Sequence, residues 1–343
     1  MERVLFLSAV EPGGALSKHA LEALGAAKSL VDGLPGSTLT VGLLGGDTQP
    51  GSAAVAACGA VKFLSVAGDA FQHPRYASDA AAATALCKAA EATVVVAPGS
   101  SRLSRCLPGV AGRLGGRVDT HLVGLVAKDG GPVVNRWYYR QRMEAVLTRT
   151  QRPWLLLVDA GAFPAWSGAA GTAQVTQVPV EVTPALTRTT YVGVQAPQSS
   201  EQTIRPDAET LFVAGAGWTK KQKDGQPHVA QAAELILGFL RAAKASLGSS
   251  KSLVDMGGEG QAVLPFLTHL NQVGQTGATP RHPKGLAACC HGEEPHVVGW
   301  RFIKDRRAIN LDANCGWARG KADVLYVADA FEVMAKVNAL LGK

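Results

Sequence analysis

Cys289, Cys290 and His291 stand side by side, with His296 and Cys315 further on, and together they offer the thiolates and imidazoles that bind zinc or iron. Their spacing opposes that chemistry. Adjacent cysteines seldom ligate one ion together, and no Cys-x-x-Cys occurs. Buried cysteines at strand ends are the simpler reading, and no metal is expected. Gln272-Val273-Gly274-Gln275-Thr276-Gly277 gathers amides, a hydroxyl and backbone N–H groups between glycines in one small loop, which can face a bound ring or form a hairpin turn. Gly215-Ala216-Gly217 lacks the third glycine of a dinucleotide fingerprint, and leaves a structural turn and an anion site equally open. Lys220, Lys221 and Lys223 follow, either as a solvated helix start or as a diphosphate clamp. Arg136-Trp137-Tyr138-Tyr139-Arg140-Gln141-Arg142 mixes cations with aromatics that could stack on bases or a partner, but an edge strand explains it as well. There is no Ser/His/Asp or Cys/His nucleophile with a recognisable elbow, so hydrolase chemistry is unsupported and no catalytic residue is assigned.

The elements that must position these residues follow from periodicity. Strand-like Val4–Val10, Leu39–Leu44, Val61–Ser65 and Val94–Ala97 alternate with helix-like Leu16–Val31, Ser52–Cys58, Ser78–Ala90 and Ser104–Leu114. That alternation implies a mainly parallel sheet covered by helices. Gly13-Gly14 and Gly45-Gly46 fall where strand and helix should meet. After Trp154–Asp159 the stretch Gly168–Arg205 turns rich in Thr, Val, Gln, Ser and Pro, and reads as β-rich edge structure running into a linker. A fresh strand, Thr210–Gly217, and an amphipathic helix, Val229–Leu247, open a second domain. The predicted division is a domain over 1–185, a linker over 186–207 and a domain over 208–343.

Length and composition agree with two α/β domains. A single core rarely grows past roughly 250–300 residues, and this chain has 343, of which 47% are hydrophobic and 18% charged. Six scattered cysteines give no disulfide framework. No apolar run approaches the ~20 residues of a membrane span. The chain begins with a strand-like run rather than a leader, so a cytoplasmic protein is expected. The net charge of +7 is dispersed, which speaks against nucleic acid and for an acidic partner or an anionic cofactor.

Taken in order, these segments resemble the electron-transfer flavoprotein alpha-subunit family over nearly the whole chain. Lys62-Phe63-Leu64-Ser65-Val66 and Ala70–Leu86 look like the family's strand and following helix, and Arg105–Gly115 resembles its Arg-Asp-Leu-Ala-Pro-Arg-Val-Ala-Ala-Arg-Leu-Gly helix. Arg152-Pro153 leading to Gly161-Ala162-Phe163-Pro164 matches a further strand end. Gln272 to Gly277 is identical to the family's Gln-Val-Gly-Gln-Thr-Gly, and Ser250–Asp255 resembles its Ser-Arg-Ala-Ala-Val-Asp. Gly292 and His296 fall on its Ser-Gly-Ala-Ile-Gln-His loop, Asn310 and Asp312 on its Ile-Asn-Lys-Asp strand end, and Ala322-Asp323 on its Ala-Asp-Tyr. The departures cluster at the same place. Gly217 stands where relatives carry arginine, Lys251 replaces another arginine, His291 replaces a serine, and Glu293 and Glu294 add carboxylates.

The resemblance implies an adenine-nucleotide-hydrolase-like N-terminal domain that contacts a beta subunit, and a Rossmann-like C-terminal domain that binds FAD. It implies an electron carrier, without substrate turnover of its own, between a flavin-dependent dehydrogenase and a membrane quinone oxidoreductase or similar acceptor. By this resemblance Lys251, Thr276 and His296 lie against the flavin ring. Ser250, Gln275, Gly292 and the backbone around Glu293 hold the ribityl and diphosphate groups, Gly277 belongs to the same cofactor loop, and Asn310, Asp312 and Asp323 lie toward the adenosine. Two other classes stay open. One is a scaffold subunit of a redox complex that has lost FAD or takes only an adenine nucleotide; the other is a nucleotide-using α/β enzyme.

Overall fold

A computed structural model describes residues 1–139, 143–194, 204–205, 207–255, 262–273, 281–288, 303–314 and 322–342. The chain divides into two compact units, Met1–Val194 and Gln195–Lys343. Among the described residues no helix is long and apolar enough to cross a membrane.

The first unit is built on continuous apolar runs that bury both faces, as strands of a helix-covered parallel sheet must. In β1 (Arg3–Ala9), Val4 and Phe6 enter one core while Leu5 and Leu7 enter the other. The same alternation divides β4 (Val94–Pro98) and β8 (Trp154–Val158) between those two cores. With β2 (Thr38–Gly45), β3 (Lys62–Ala67), β5 (Arg117–Lys128), β6 (Gly131–Tyr138), β7 (Met143–Leu147) and β9 (Val175–Gln177) they form a nine-stranded sheet, in the order β7-β6-β5-β8-β4-β1-β2-β3-β9. All pairings are parallel except β5 with β6 and β6 with β7.

Helix α1 (Lys18–Asp32), capped by the Ser17 hydroxyl, lays Ala20, Ala23, Leu24, Ala27 and Leu30 on one core. On the other core lie α4 (Tyr76–Ala89) and α5 (Ser101–Arg113). Their buried thiols, Cys87 and Cys106, are pushed up to about 12 by burial among apolar side chains. Shorter helices are α2 (Gln49–Ala54), α3 (Asp69–Gln72) and α6 (Pro184–Thr187).

Charge ties the antiparallel part to the parallel part. Asp119 on β5 is 1% exposed and accepts from Arg136 of β6 (2.8 Å), from Arg149 beyond β7 and from the Trp154 indole of β8 (2.8 Å). Burial alone would raise this carboxyl. The opposing bonds from Arg149, Trp154 and Arg136 outweigh it and hold the carboxyl below its ordinary range.

Several sequence expectations need correction here. The helix expected at Ser52–Cys58 runs instead over Gln49–Ala54, with proline in its first turn. Arg136, Trp137 and Tyr138 lie on β6, which pairs on both sides, so they are not on an edge strand; the edge is β7. Residues 140–142 lie outside the described residues.

The second unit has a five-stranded sheet, wholly parallel, in the order β11-β10-β12-β13-β14. Its strands are β10 (Thr210–Ala214), β11 (Ser246–Ser249), β12 (Lys284–Ala288), β13 (Asp305–Asn310) and β14 (Val324–Val327). Helices α7 (Val229–Ala243) and α9 (Ala330–Leu341) pack together over Phe212, Ile236, Phe239, Phe331 and Met334, and α8 (Lys251–Asp255) follows β11. The expected helix Val229–Leu247 stops at Ala243 because Lys244 turns into the left-handed region (φ 49°) and strand β11 begins two residues later. Both units are therefore α/β with mainly parallel sheets.

Candidate functional site

In the second unit the C-terminal ends of all five strands come level, since Ala214 pairs with Ser249 and Ala288, Ala288 with Ile309, and Asn310 with Val327. The chain leaves β10 toward β11 but leaves β12 toward β13 on the opposite side. The strand order reverses between β10 and β12, and ligands of doubly wound sheets bind in the crevice outside that point.

Gly215, following β10, donates its N–H across this junction to the Ala288 carbonyl (3.0 Å). The glycine turn does not run into a long helix, as the sequence suggested; a single 3-10 turn, Ala216–Thr219, follows, and α7 starts only at Val229. Trp218 on that turn is fully buried, with its ring 4.8 Å from Phe331 and 6.5 Å from Phe212. Lys223 therefore does not open a helix. It ion-pairs with Asp329 (3.6 Å) and Glu332 (3.8 Å) at the start of α9.

Ser250, beyond β11, is fully buried; its N–H donates to the Ala214 carbonyl (2.8 Å) and its hydroxyl caps α8 by accepting from the Leu253 N–H (3.3 Å). Lys251 is exposed and ion-pairs with Asp255, which also lies 3.7 Å from His269. The glutamine loop enters beside them: Gln272 bridges to Ser249, and Val273 donates to the Ser249 carbonyl (3.0 Å). Asn310 closes β13, 1% exposed, with its side-chain Oδ1 accepting from the Asp312 N–H (2.8 Å); the Asp312 carboxylate in turn accepts from the Asn314 N–H (2.8 Å).

The structure thus brings Ser250, Lys251, Asn310 and Asp312 to one edge of the sheet, with the entry to the glutamine loop. It does not bring Asp323 there. Asp323 precedes β14, at the opposite end of the strands, and accepts from the Arg306 N–H (2.7 Å) and guanidinium (2.8 Å), whose bonds hold its carboxyl below the ordinary range. Gln275, Thr276, Gly277, Gly292, Glu293 and His296 lie outside the described residues, as do Cys289, Cys290, His291, Glu294 and Cys315.

Two residues at this edge escaped the sequence reading. Asp329 caps α9 by accepting from the Phe331 N–H (2.9 Å), and Asp329 with Glu332 three residues later is a helix-start signature that could have found it. Ser249 gave no signal. Among the described residues its buried hydroxyl has no hydrogen-bond partner, and neither has the side-chain amide nitrogen of Asn310. Buried polar atoms are normally satisfied, so orphans at the ends of β11 and β13 fit a polar ligand at this edge. Among the described residues no group of three or more His, Cys, Asp or Glu could hold a metal ion.

The second unit is a doubly wound α/β fold with polar residues at its strand ends, where such folds take their ligands. Residues 4–183 match the electron transfer flavoprotein domain, and the chain belongs to that family. It is also similar to the electron transfer flavoprotein subunit alpha of Bradyrhizobium diazoefficiens, 25% identical over 251 residues that cover 73% of this chain and 72% of the relative.

Proposed function

We propose that this chain is the alpha subunit of an electron transfer flavoprotein, which carries FAD at the strand ends of its second unit and moves electrons between protein partners without a substrate of its own. The observation that carries the reading is the pair of orphaned buried groups, Ser249 Oγ and Asn310 Nδ2, on the same edge as the entry to the Gln272–Gly277 loop. Family membership and the likeness to an alpha subunit support it.

Ser250, Lys251, Gln275, Thr276, Gly277, Gly292, Glu293, His296, Asn310 and Asp312 are the residues we assign to the cofactor; Asp323, held by Arg306 at the far end of the sheet, is left out. Bound FAD would supply reversible acceptance of electrons. The chain's own task is to set how readily that happens. The Lys251 cation favours added negative charge, while Thr276 and His296 offer hydrogen bonds to ring edges. Lys251 supplies charge without the planar fork of an arginine, and Asp255 competes for it.

The donor is a flavin-dependent dehydrogenase, and the acceptor a membrane quinone oxidoreductase or similar protein. The first unit, together with a beta subunit, forms the base of the complex. Val126 and Val146, exposed on the β5–β7 sheet, offer apolar surface to such a partner. Co-expression with a beta-type partner, followed by an absorbance spectrum and chemical identification of the released cofactor, tests the reading. A colourless, flavin-free heterodimer would sink it.

One observation favours a second reading. Gly217 in place of arginine and the pairing of Lys251 with Asp255 both lower positive charge where a diphosphate cofactor needs it. A scaffold subunit that has lost FAD, or that takes only an adenine nucleotide, is consistent with this. The same cofactor identification separates the two, because an adenine nucleotide absorbs in the ultraviolet alone.

A further inference from the structure

Lys251 and Asp255 are the first and last residues of α8, and they meet as an ion pair across one helical turn. Helix stability does not account for the arrangement. A cation at the first position and a carboxylate at the last each stand at the end where the backbone dipole disfavours them. The carboxylate is also approached from a second side. His269, on the 3-10 turn His269–Asn271, brings Nδ1 to 3.7 Å from Asp255 Oδ1, while Oδ2 is the oxygen that takes Lys251. Neither member of the ion pair is sealed from water: the Lys251 side chain is 45% exposed and that of Asp255 31%.

The backbone on both sides of this pair is anchored to the edge where the polar residues gather. α8 begins directly after Ser250, whose N–H is bonded to the Ala214 carbonyl and whose hydroxyl caps the helix. The turn that carries His269 runs on into Gln272 and Val273, which are tied to Ser249 at the end of β11. Lysine places its ammonium on a flexible four-carbon stem, so the charge can move between neighbours while the backbone stays fixed. Partly exposed ion pairs are weak. A second negative charge arriving beside Lys251 can therefore draw the ammonium away from Asp255, and the carboxylate decides how readily it goes.

We infer that Asp255 is a positioning residue, a brake that takes up the Lys251 charge and so lowers the tendency of the cofactor to accept electrons. This role presupposes FAD at the same edge, as proposed above. The test has two arms, both on the full chain. In the cofactor-free chain, acylation of the Lys251 amine, followed by peptide mass spectrometry, should run roughly threefold faster or more in Asp255→Asn, because an amine held by a carboxylate is less available to the reagent. In the complex with a beta-type partner, the potential of the bound flavin should rise in the same variant. A roughly threefold gain in the preference for reduced over oxidised flavin is about 14 mV, since tenfold is about 30 mV for two electrons. Lys251→Gln separates a brake from a merely nearby charge. In that background Asp255→Asn should move the potential less than half as far, whereas independent charges would add. Unchanged acylation, a potential that stays or falls, or full additivity would each overturn this role while leaving FAD binding intact. A complex without flavin would instead remove the cofactor reading, and this role with it.

Discussion

Asp119 is the residue on which the join between the two parts of the first sheet rests. It is buried, it receives bonds from Arg136, Arg149 and Trp154, and those bonds keep its carboxyl ionised. Asp119→Asn keeps the shape and the contact with the indole but removes the charge, leaving two guanidiniums facing a neutral amide. The variant should lose roughly 3 kcal/mol, the lower end of the range for a severed buried ion pair, since Arg149 is partly exposed. The pH dependence has a definite sign. A carboxyl whose folded pKa is depressed stabilises fully above its unfolded value near about 4, and that contribution fades as pH falls through the folded value. Denaturant titrations should therefore show a constant gap between wild type and variant above about pH 4 that closes as pH falls below that value. Ser249 allows the opposite test. Its hydroxyl is buried and unsatisfied, so Ser249→Ala should leave the cofactor-free protein as stable as before, or up to about 1 kcal/mol more so. If the hydroxyl serves the cofactor, the same variant retains less flavin after gel filtration; a loss of stability with unchanged flavin content would make it a purely structural residue.

At the scale of elements, the strands that alternate between two cores were the most legible feature, because Val, Leu, Ile and Phe runs between glycine turns have few other uses. Strand β11 was hidden. Its sequence, Ser246-Leu247-Gly248-Ser249, has no β-branched residue, and the periodicity of α7 runs into it unbroken. Only the left-handed turn at Lys244 separates them, and lysine does not advertise that conformation as glycine does. Lys244→Gly should accordingly stabilise the second unit by about 0.5–1 kcal/mol, read as a small rise in melting temperature; a fall would mean the lysine side chain contributes more than its backbone strain costs. The candidate site was legible in part. Ser250, Asn310 and Asp312 were picked out by the resemblance of their segments to the family's, whereas Ser249 and Asp329 acquire meaning only from pairing and capping that bring distant segments level. Asp323 misled because sequence order does not tell which end of a strand a flanking carboxylate occupies.

For the whole molecule, the change in composition after Asp159 led to an expected boundary at 185 and a linker to 207; the chain forms two compact units, Met1–Val194 and Gln195–Lys343. The tail of the first unit was harder to read. Within a Thr- and Pro-rich stretch, Val175–Gln177 forms a sheet strand and Pro184–Thr187 a short helix, both too brief for periodicity to register. Each unit has hydrophobic clusters drawn from its own residues alone. Residues 1–194 expressed by themselves should therefore unfold cooperatively by circular dichroism, with the buried Trp154 as a fluorescence reporter. A broad, non-cooperative transition would show that this unit needs the rest of the chain.

Strand β9 has a bearing on how the protein is made. It completes the sheet by lying along β3, whose partner residues Phe63 to Ser65 leave the ribosome long before Val175 to Gln177 are synthesised. Until then one margin of a strongly apolar sheet stays uncovered, and its unpaired amides invite other chains to zip on. The safest moment in this protein's biogenesis comes late, when its own tail reaches back and seals that margin.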